Sequence, residues 1–490
     1  MQRTDTHPAN RIALLFFLTL HFLFLLTSTG RVRTMDEVSV NFQVQSLAQH
    51  ASTAVPQAVS AGLFFGKLDR SGQPQTPYGP GQAAAIVPWY ALGSALLSVL
   101  PGVPPWSREF VMTAVLTASN AAFSALAAAL LFLIFCRLGI ALRTALAAAT
   151  LFALATPVFS YSAWFYSEPL AAALLLAAAL FLFASGESAG ISAKNAALAG
   201  LFLGISLWVR PVHVFAAAIF LLAVLVREKK NGLRPAFVLA TVIGLFGVAC
   251  LVRNHMLFGH WQDFGYPAVA ENGKVLNTFD TPILKGLYIF LFSPGKSMLL
   301  FAPPLLLAIP GIFRLAKRDR GLATIATLLP LAYLFFYAHF SHVEGSYSYG
   351  PRYQVPGIVL LCLGLGPALA DFAPRLRKLA IVLFLAGFLI QVIGISTSFL
   401  EDQATGRYFD EHWTYRPGYS PIPSMSRRLL FYIRSPKPAP MGLGFDRWFV
   451  FLAKTGVARS TLAAGVSFEF AGLLFCAWLL RRALLQLPAP

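Results

Sequence analysis

Long apolar runs recur from one end of the chain to the other, and they limit its folding more than any other feature. A helix needs roughly 20 apolar residues to cross a bilayer, and about a dozen runs of this kind are present. The chain is 57% hydrophobic and only 12% charged, whereas about 25% of residues are charged in typical soluble domains. The sequence therefore predicts an all-α polytopic membrane protein.

The positive charge of the chain belongs to this membrane pattern. The formal net charge is +18, from 38 Lys and Arg against 20 Asp and Glu. The basic residues stand at the ends of apolar runs, where topology determinants lie. We therefore expect a lipid bilayer as partner and no nucleic acid. The four cysteines lie in or beside apolar runs without pairing or metal spacing, so neither a disulfide framework nor a zinc site is predicted.

Five basic clusters set the predicted topology. They lie at Arg137 and Arg143, at 227–234, at 314–320, at 375–378 and at Arg481–Arg482. The positive-inside rule places all five in the cytoplasm. Twelve spans (range 11–13) satisfy this, with both ends cytoplasmic and residues 30–109 forming a large first external loop. The first run, 12–26, lacks an A-x-A cleavage site, and we interpret it as a retained anchor.

The apolar stretch 83–100 is the ambiguous element of this scheme. Pro88 is expected to interrupt its helical hydrogen bonds, and Trp89 and Tyr90 favour the membrane interface. We predict an interfacial or re-entrant segment. If 83–100 crosses the bilayer, the count becomes thirteen and one basic cluster is misplaced.

Two adjacent acids open the external loop, in "RTMDEVSVNFQVQSL" (33–47). Acids at the end of a span are often simply solvated. Asp36 and Glu37, however, follow Arg31 and Arg33, which are basic residues on the outer side against the general trend. Such residues indicate another role, for example binding an anionic ligand at headgroup level.

Further polar residues fall on the same predicted face. Glu168, in "SYSAWFYSEP" (160–169), also suits a helix N-terminus, and Arg210, in "WVRP" (208–211), also suits a snorkelling arginine. Lys296 lies in "SPGKSMLLFAPP" (293–304), which fails the P-loop pattern because Phe290 stands where the first glycine belongs. It is still placed to face a phosphate at the outer end of a span.

Arg352 lies between Tyr349 and Tyr353 in "SYGPRYQVP" (348–356). An arginine can donate two hydrogen bonds to one phosphate, and the flanking rings can stack on a sugar. The gathering of such residues on one face predicts an active site at a membrane surface.

The chain resembles the GT-C glycosyltransferases, in particular the protein O-mannosyltransferases and the lipid A aminoarabinose transferases. The resemblance is carried by the Asp36–Glu37 pair, by "YGPGQ" (78–82), by "FSYSAWFYSEP" (159–169) and by "GPRY" (350–353). The second loop carries Glu where many relatives have Asp. Residues 38–44 alternate like a strand, but they also fit a helix face, and the resemblance implies an interfacial helix there.

The resemblance implies transfer of a sugar from a polyprenyl-phosphate donor to an acceptor hydroxyl. Asp36 would be the general base, Glu37 a supporting acid and Glu168 a substrate-orienting acid. Donor phosphate and sugar would be bound by Tyr78, Arg210, Lys296, Tyr349, Arg352 and Tyr353. No cofactor is predicted, and a divalent cation has no D-x-D or His cluster to support it. The expected location is the plasma (inner) membrane, with the site on the external, periplasmic face.

Two other classes of protein stay open. A transporter or flippase of an anionic lipid or solute would bury charges near the bilayer midplane, whereas the spans here are nearly free of charge. A non-catalytic assembly protein would not need the acid pair. We divide the chain into a GT-C-like catalytic module (1–398), an external region without a recognisable motif (399–462) and a last span with a cytoplasmic tail (463–490).

Overall fold

The computed structural model describes residues 6–183, 190–267, 278–343, 345, 348–371, 374–400, 415–435 and 444–487. Regular structure in these residues is almost entirely helical, as predicted. Parts of the external region assigned to 399–462, namely 401–414 and 436–443, lie outside the described residues, as do the chain ends 1–5 and 488–490.

The described residues between 6 and 209 contain ten helices and one small hairpin. The helices are α1 (Thr6–Thr27), α2 (Met35–His50), α3 (Pro56–Ser60), α4 (Pro80–Val99), α5 (Arg108–Thr117), α6 (Ser119–Arg137), α7 (Leu142–Ala155), α8 (Pro157–Ser162), α9 (Glu168–Phe183) and α10 (Ala193–Val209). Strands β1 (Lys67–Leu68) and β2 (Pro74–Gln75) pair antiparallel, with Lys67 opposite Gln75.

The described residues after 209 are also helical. Their helices are α11 (Val214–Glu228), α12 (Leu233–Phe258), α13 (Ile283–Leu291), α14 (Met298–Phe301), α15 (Leu305–Arg318), α16 (Arg320–His339), α17 (Val355–Leu361), α18 (Leu365–Asp371), α19 (Pro374–Ser396), α20 (Pro421–Arg434), α21 (Trp448–Lys454) and α22 (Arg459–Leu485). Short 3-10 turns cover Pro105–Ser107, Pro211–His213, Lys229–Gly232, Arg352–Gln354, Cys362–Gly364 and Pro417–Tyr419.

Eight helical segments in the described residues are long and apolar enough to cross a membrane. They are Pro8–Thr27, Pro80–Val99, Pro105–Arg137, Pro211–Phe258, Arg320–His339, Arg352–Asp371, Lys378–Ser396 and Arg459–Leu485. The segment Pro211–Phe258 includes both α11 and α12, and α7, α9 and α10 are apolar but shorter. The chain is a multi-pass membrane protein, and the count of twelve spans stays a prediction.

Helix α4 differs from expectation because it runs without a break through Pro88. A proline lacks an N–H donor and its ring crowds the carbonyl four residues earlier, but α4 stays helical on both sides of Pro88. Packing against α2 and α5 supports it further. The expected interruption at Pro88 is therefore wrong, and α4 has the length and composition to span.

The acid pair lies in a helix, as the resemblance implied and against the alternating pattern of 38–44. Thr34 caps α2 by accepting a hydrogen bond from the Glu37 N–H, while the Glu37 carboxylate accepts from the Thr34 N–H. This reciprocal capping box fixes where the helix starts. It places Asp36 and Glu37 in the first turn, where negative charge is favourable.

A small apolar core holds α2 against its neighbours beside the main helix bundle. Val40 and Val44 of α2 pack with Ala83 and Ile86 of α4 and with Phe165. The start of the segment 30–109 is therefore fixed to the segment that precedes Glu168.

Candidate active site

Four charged side chains converge from the ends of four different helices. Asp36 lies in the first turn of α2, Glu168 begins α9, Arg210 caps the C-terminus of α10, and Arg352 opens the turn before α17. Backbone groups at helix ends lack intrahelical partners, and polar side chains there can supply them. Packing brings these four ends close together, so their charged side chains are in contact.

Arg352 links the two carboxylates. Its Nη2 lies 2.6 Å from Asp36 Oδ2, and its Nε lies 3.0 Å from Glu168 Oε1. Arg210 approaches the same pair, with Nη2 at 3.9 Å from Asp36 Oδ2 and 3.4 Å from Glu168 Oε1. The Asp36 side chain is 28% exposed and that of Glu168 only 3%. Asp36 is therefore the carboxylate that a substrate reaches first.

The loop "YGPG" brings Tyr78 to this cluster. A Cβ on Gly79 would lie 2.0 Å from the Trp208 carbonyl oxygen, and one on Gly81 would lie 2.7 Å from the carbonyl carbon. Only glycine permits such a close backbone approach. The loop consequently packs on the end of α10 beside Arg210, and the Tyr78 hydroxyl donates a hydrogen bond to Asp36 Oδ1.

The two arginines decide the charge state of Asp36. Burial alone would raise the pKa of Asp36, but the positive charges of Arg352 and Arg210 and the hydrogen bond from Tyr78 lower it below its usual value. Burial and the neighbouring Asp36 charge raise the pKa of Tyr78 well above its usual value. Asp36 is thus an anion paired with cations, and Tyr78 is a neutral donor.

A cavity of about 820 Å³ opens on this cluster. Asp36, Tyr78, Arg210, Arg352 and Tyr353 line it, and Tyr78, Arg210 and Arg352 all contact Asp36, so its charged residues lie together. The remaining lining is largely aromatic and aliphatic, and includes Phe65, Val212, Val214, Phe215, Phe264, Phe279, Phe336 and Phe340. The cavity is therefore charged at one end and apolar along its walls.

Glu37 lies next to the site but does not line this cavity. Its side chain is buried, and its carboxylate accepts hydrogen bonds from the N–H groups of Arg33, Thr34 and Phe165. These bonds join the start of α2 to the segment before Glu168. In this geometry Glu37 holds two parts of the site in register.

Lys296 and Tyr349 are not on the cavity lining, contrary to their expected contact with the donor. Lys296 is 1% exposed, and its Nζ donates to the carbonyl and Oγ of Ser348 at 2.7 and 3.0 Å. Tyr349 is buried, and its hydroxyl donates to the Ile390 carbonyl. Both residues brace the segment that leads to Arg352, because the "SPGK" turn folds inward.

Arg31 and Arg33 have a protein partner instead of the anionic ligand that their position suggested. Arg31 Nε lies 3.0 Å and Arg33 Nη2 lies 2.6 Å from the carboxylate of Asp446. Trp448 adds a backbone hydrogen bond to the Ser28 carbonyl. The short segment 446–448, called here the strap, thus fastens residues 28–33, which lead into α2.

Sequence reasoning missed four residues of this site. The ring of Tyr166 lies under the Arg352 guanidinium at 3.9 Å, a cation–π contact. Tyr166 lies inside "SYSAWFYSEP", so that motif could have indicated it. Tyr266 and Tyr337 line the cavity, and Asp446 holds the loop arginines. No local pattern marks these three.

Among the residues that the structure describes, there is no group of three or more His, Cys, Asp or Glu able to hold a metal ion. The expectation that no cofactor is needed stays a prediction.

No protein-family model matches the sequence, and no curated protein matches it. Solved structures that resemble the chain include two of ArnT from Cupriavidus metallidurans, one bound to undecaprenyl phosphate and one in the apo state. Each has a TM-score of 0.49 and 14% sequence identity, and covers 98% of this chain and 78% of that chain.

Proposed function

We propose that the protein is a membrane glycosyltransferase that moves a sugar from a polyprenyl-phosphate donor to an acceptor hydroxyl. The observation that carries the proposal is the pairing of Arg210 and Arg352 with two carboxylates at the charged end of a large apolar cavity. Arginines bind phosphate through charge-assisted hydrogen bonds. The apolar walls suit the hydrocarbon chain of the same molecule.

Donor binding is an exchange of partners in this mechanism. The donor phosphate accepts hydrogen bonds from Arg210 and Arg352, whose N–H groups now contact Asp36 and Glu168. Glu168 is almost fully buried, so it stays paired with the arginines and holds their guanidinium groups in place. Asp36 is the more exposed carboxylate, and its contacts are the ones given up.

The chemical step follows from this arrangement. The acceptor hydroxyl attacks the anomeric carbon, and Asp36 takes the hydroxyl proton. The bond between the anomeric carbon and the phosphate oxygen breaks, and its electron pair leaves with polyprenyl phosphate. Arg210 and Arg352 stabilise the charge that grows on the leaving oxygen, the role of preorganised donors in such sites.

The exchange also activates the base. Asp36 with a lowered pKa is a weak proton acceptor, and a general base works best when its pKa lies nearer the working pH. A bound phosphate occupies the arginines and adds negative charge nearby, and both effects raise the pKa of Asp36. The base therefore becomes stronger only when the donor is in place.

The proposal includes a location, which the basic clusters support. Asp36, Glu168, Arg210 and Arg352, called here the charge cluster, come from loops that the predicted topology places on the side opposite the basic residues. The site therefore faces the outside of the plasma (inner) membrane. The acceptor is a protein, a lipid or a glycan that reaches this face.

The test is sugar transfer by the purified protein in nanodiscs. Labelled polyprenyl-phosphate sugars are supplied, and release of polyprenyl phosphate is followed together with sugar transfer to added acceptors. Release that depends on an acceptor and is lost in Asp36→Asn would support the proposal. Movement of the intact donor between the leaflets of liposomes, without release, would instead identify a flippase.

A further inference from the structure

A second and much smaller cavity lies next to the charge cluster, and two of its members, Glu168 and Arg210, help to line it. Its lining includes Ser167, Glu168, Arg210, His213 and Tyr333. Its volume is about 10 Å³. A space of about 10–15 Å³ holds one water molecule, so the cavity has room for about one water.

Three polar atoms of this lining have no hydrogen-bond partner among the described residues. They are Ser167 Oγ, Glu168 Oε2 and His213 Nε2. Their residues are 5%, 2% and 2% exposed, so bulk water does not satisfy them. Buried polar atoms of native proteins almost always have a partner, and one water bonds to about three.

His213 is also joined to a deeper side chain. Its Nδ1 lies 2.7 Å from the Tyr333 hydroxyl oxygen, and both residues are buried. The two rings meet edge to face at a centroid distance of 5.9 Å. The imidazole is therefore fixed on one side by Tyr333, while its residue lines the small cavity and its other nitrogen has no partner among the described residues.

We propose that one ordered water molecule fills this cavity and completes a chain from Tyr333 through His213 to Glu168. In this proposal His213 and Tyr333 are positioning residues for Glu168. The hydration site depends only on the geometry, whereas the effect on catalysis rests on the proposed function.

The chemistry of the end groups fixes the direction of the chain. An ionised carboxylate only accepts hydrogen bonds, so the water donates to Glu168 Oε2. The water then accepts from His213 Nε2–H, and the bare Nδ1 accepts from the Tyr333 hydroxyl. Ser167 Oγ supplies the third partner of the water. This arrangement satisfies all three unpartnered atoms at once.

The consequence for the site runs through Glu168. Its other oxygen, Oε1, lies 3.0 Å from Arg352 Nε and 3.4 Å from Arg210 Nη2. A carboxylate held at both oxygens cannot rotate away from the arginines. The chain therefore keeps both guanidinium forks in the geometry that a donor phosphate requires.

The direct test is a cryo-electron-microscopy map of the full chain in nanodiscs, at a resolution that shows ordered waters. We expect density within hydrogen-bond distance of Glu168 Oε2 and His213 Nε2. An empty cavity, in a map with waters at other buried polar groups, would overturn the proposal. This measurement does not depend on the identity of the substrate or on activity.

The functional test compares His213→Ala with His213→Gln, and uses His260→Ala at an exposed position as control. His213→Ala should raise the donor KM about tenfold, the effect of losing one hydrogen bond to a charged group. His213→Gln keeps an N–H donor and should restore much of this loss, whereas His260→Ala should match the wild type.

Tyr333→Phe should raise the donor KM by a smaller factor than His213→Ala, because the imidazole stays and only loses its fixed orientation. If the wild type transfers sugar and His213→Ala keeps its donor KM and kcat, the positioning role is wrong. If the wild type transfers nothing, the proposed function fails instead, and the density still decides the hydration site.

Discussion

The guanidinium of Arg352 lies 2.6 Å from the Asp36 carboxylate, although the two residues are 316 positions apart in the chain. The residue proposed as catalytic base is thus the counter-ion of the residue proposed to bind the leaving phosphate. Each substitution at this pair should consequently affect base strength and donor binding in different proportions.

Asp36→Asn should separate these two effects. The amide keeps the size of the side chain but cannot take a proton, so turnover should fall by about 10² or more. Donor affinity should not weaken, because the arginines lose a competing carboxylate. The measurements are kcat with a labelled donor and donor binding by titration in nanodiscs. Wild-type turnover in this variant would remove Asp36 from the mechanism.

Glu37→Gln should mainly affect stability. Its carboxylate accepts hydrogen bonds from three backbone N–H groups, which cap α2 and link it to Phe165. A lost cap costs about 1 kcal/mol. We expect a lower unfolding temperature with a smaller loss of turnover than in Asp36→Asn. A dead but fully stable Glu37→Gln would exchange the roles of the two acids.

Arg352→Lys should weaken donor use although the charge is kept. A lysine cannot donate to Asp36 and Glu168 at the same time with the fixed fork of a guanidinium. The donor KM should rise by roughly tenfold or more, equal to about 1.4 kcal/mol of lost interaction. Arg427→Lys, at an exposed position on α20, is the matched control. Equal KM values for both variants would leave Arg352 with a structural role only.

Asp446→Ala should loosen the loop that carries the acid pair. The carboxylate is 2% exposed and pairs with two arginines, and removing one partner of a buried ion pair costs about 3–5 kcal/mol. Asp371→Ala is the control, because Asp371 and Arg318 are 26% and 28% exposed and an exposed pair contributes about 0–1 kcal/mol. Thermal unfolding of both variants in detergent tests the difference. Equal losses would contradict the role of the strap.

Acid should weaken the same contacts. Burial opposes ionisation of Asp446, but Arg33 and Arg31 lower its pKa below the usual value, as Arg352 and Arg210 do for Asp36. A lowered folded-state pKa gives stability that is present above the unfolded pKa of about 3.9 and is lost as the pH falls through the folded pKa. The unfolding temperature should therefore drop below about pH 4. The drop should be shallower in Asp446→Asn, and equal slopes would refute the assignment.

Gly79→Ala should disturb the site without removing any functional group. Its Cβ would lie 2.0 Å from the Trp208 carbonyl oxygen, so the loop must move away from α10 and take Tyr78 with it. Turnover should fall, while the unfolding temperature changes less than in Asp446→Ala. Gly244→Ala is the control, since a Cβ there meets nothing within 4 Å. Unchanged turnover in Gly79→Ala would mean that the loop position is not critical.

The sequence was most informative about charged residues at the ends of apolar runs. Asp36, Glu168, Arg210 and Arg352 stand at the predicted outer ends of apolar runs, so they could be selected before any geometry was known, and the structure brings all four together. Their helix ends are visible in the sequence, because each follows or precedes an apolar run. Their chemical roles stay predictions.

The sequence was least informative about inward packing and distant partners. Lys296 and Tyr349 resemble surface ligands in the linear order, yet their turn folds into the protein. Asp446 has no neighbouring pattern, because its partners Arg31 and Arg33 lie at the other end of the chain. Pro88 did not interrupt α4, since packing on both sides outweighs one missing hydrogen bond. Tertiary contacts decided each of these cases.

The strap also has a consequence for biosynthesis. Arg31 and Arg33 are made early, but Asp446 follows 415 and 413 residues later. Until then the two arginines have no Asp446 to neutralise them, and α2 lacks this attachment at its start. The Asp446 contact therefore forms only after the residues up to 446 have been made. A chain that stops before residue 446 would contain all four members of the charge cluster. It would still lack the ion pairs that hold Arg31 and Arg33 just before α2.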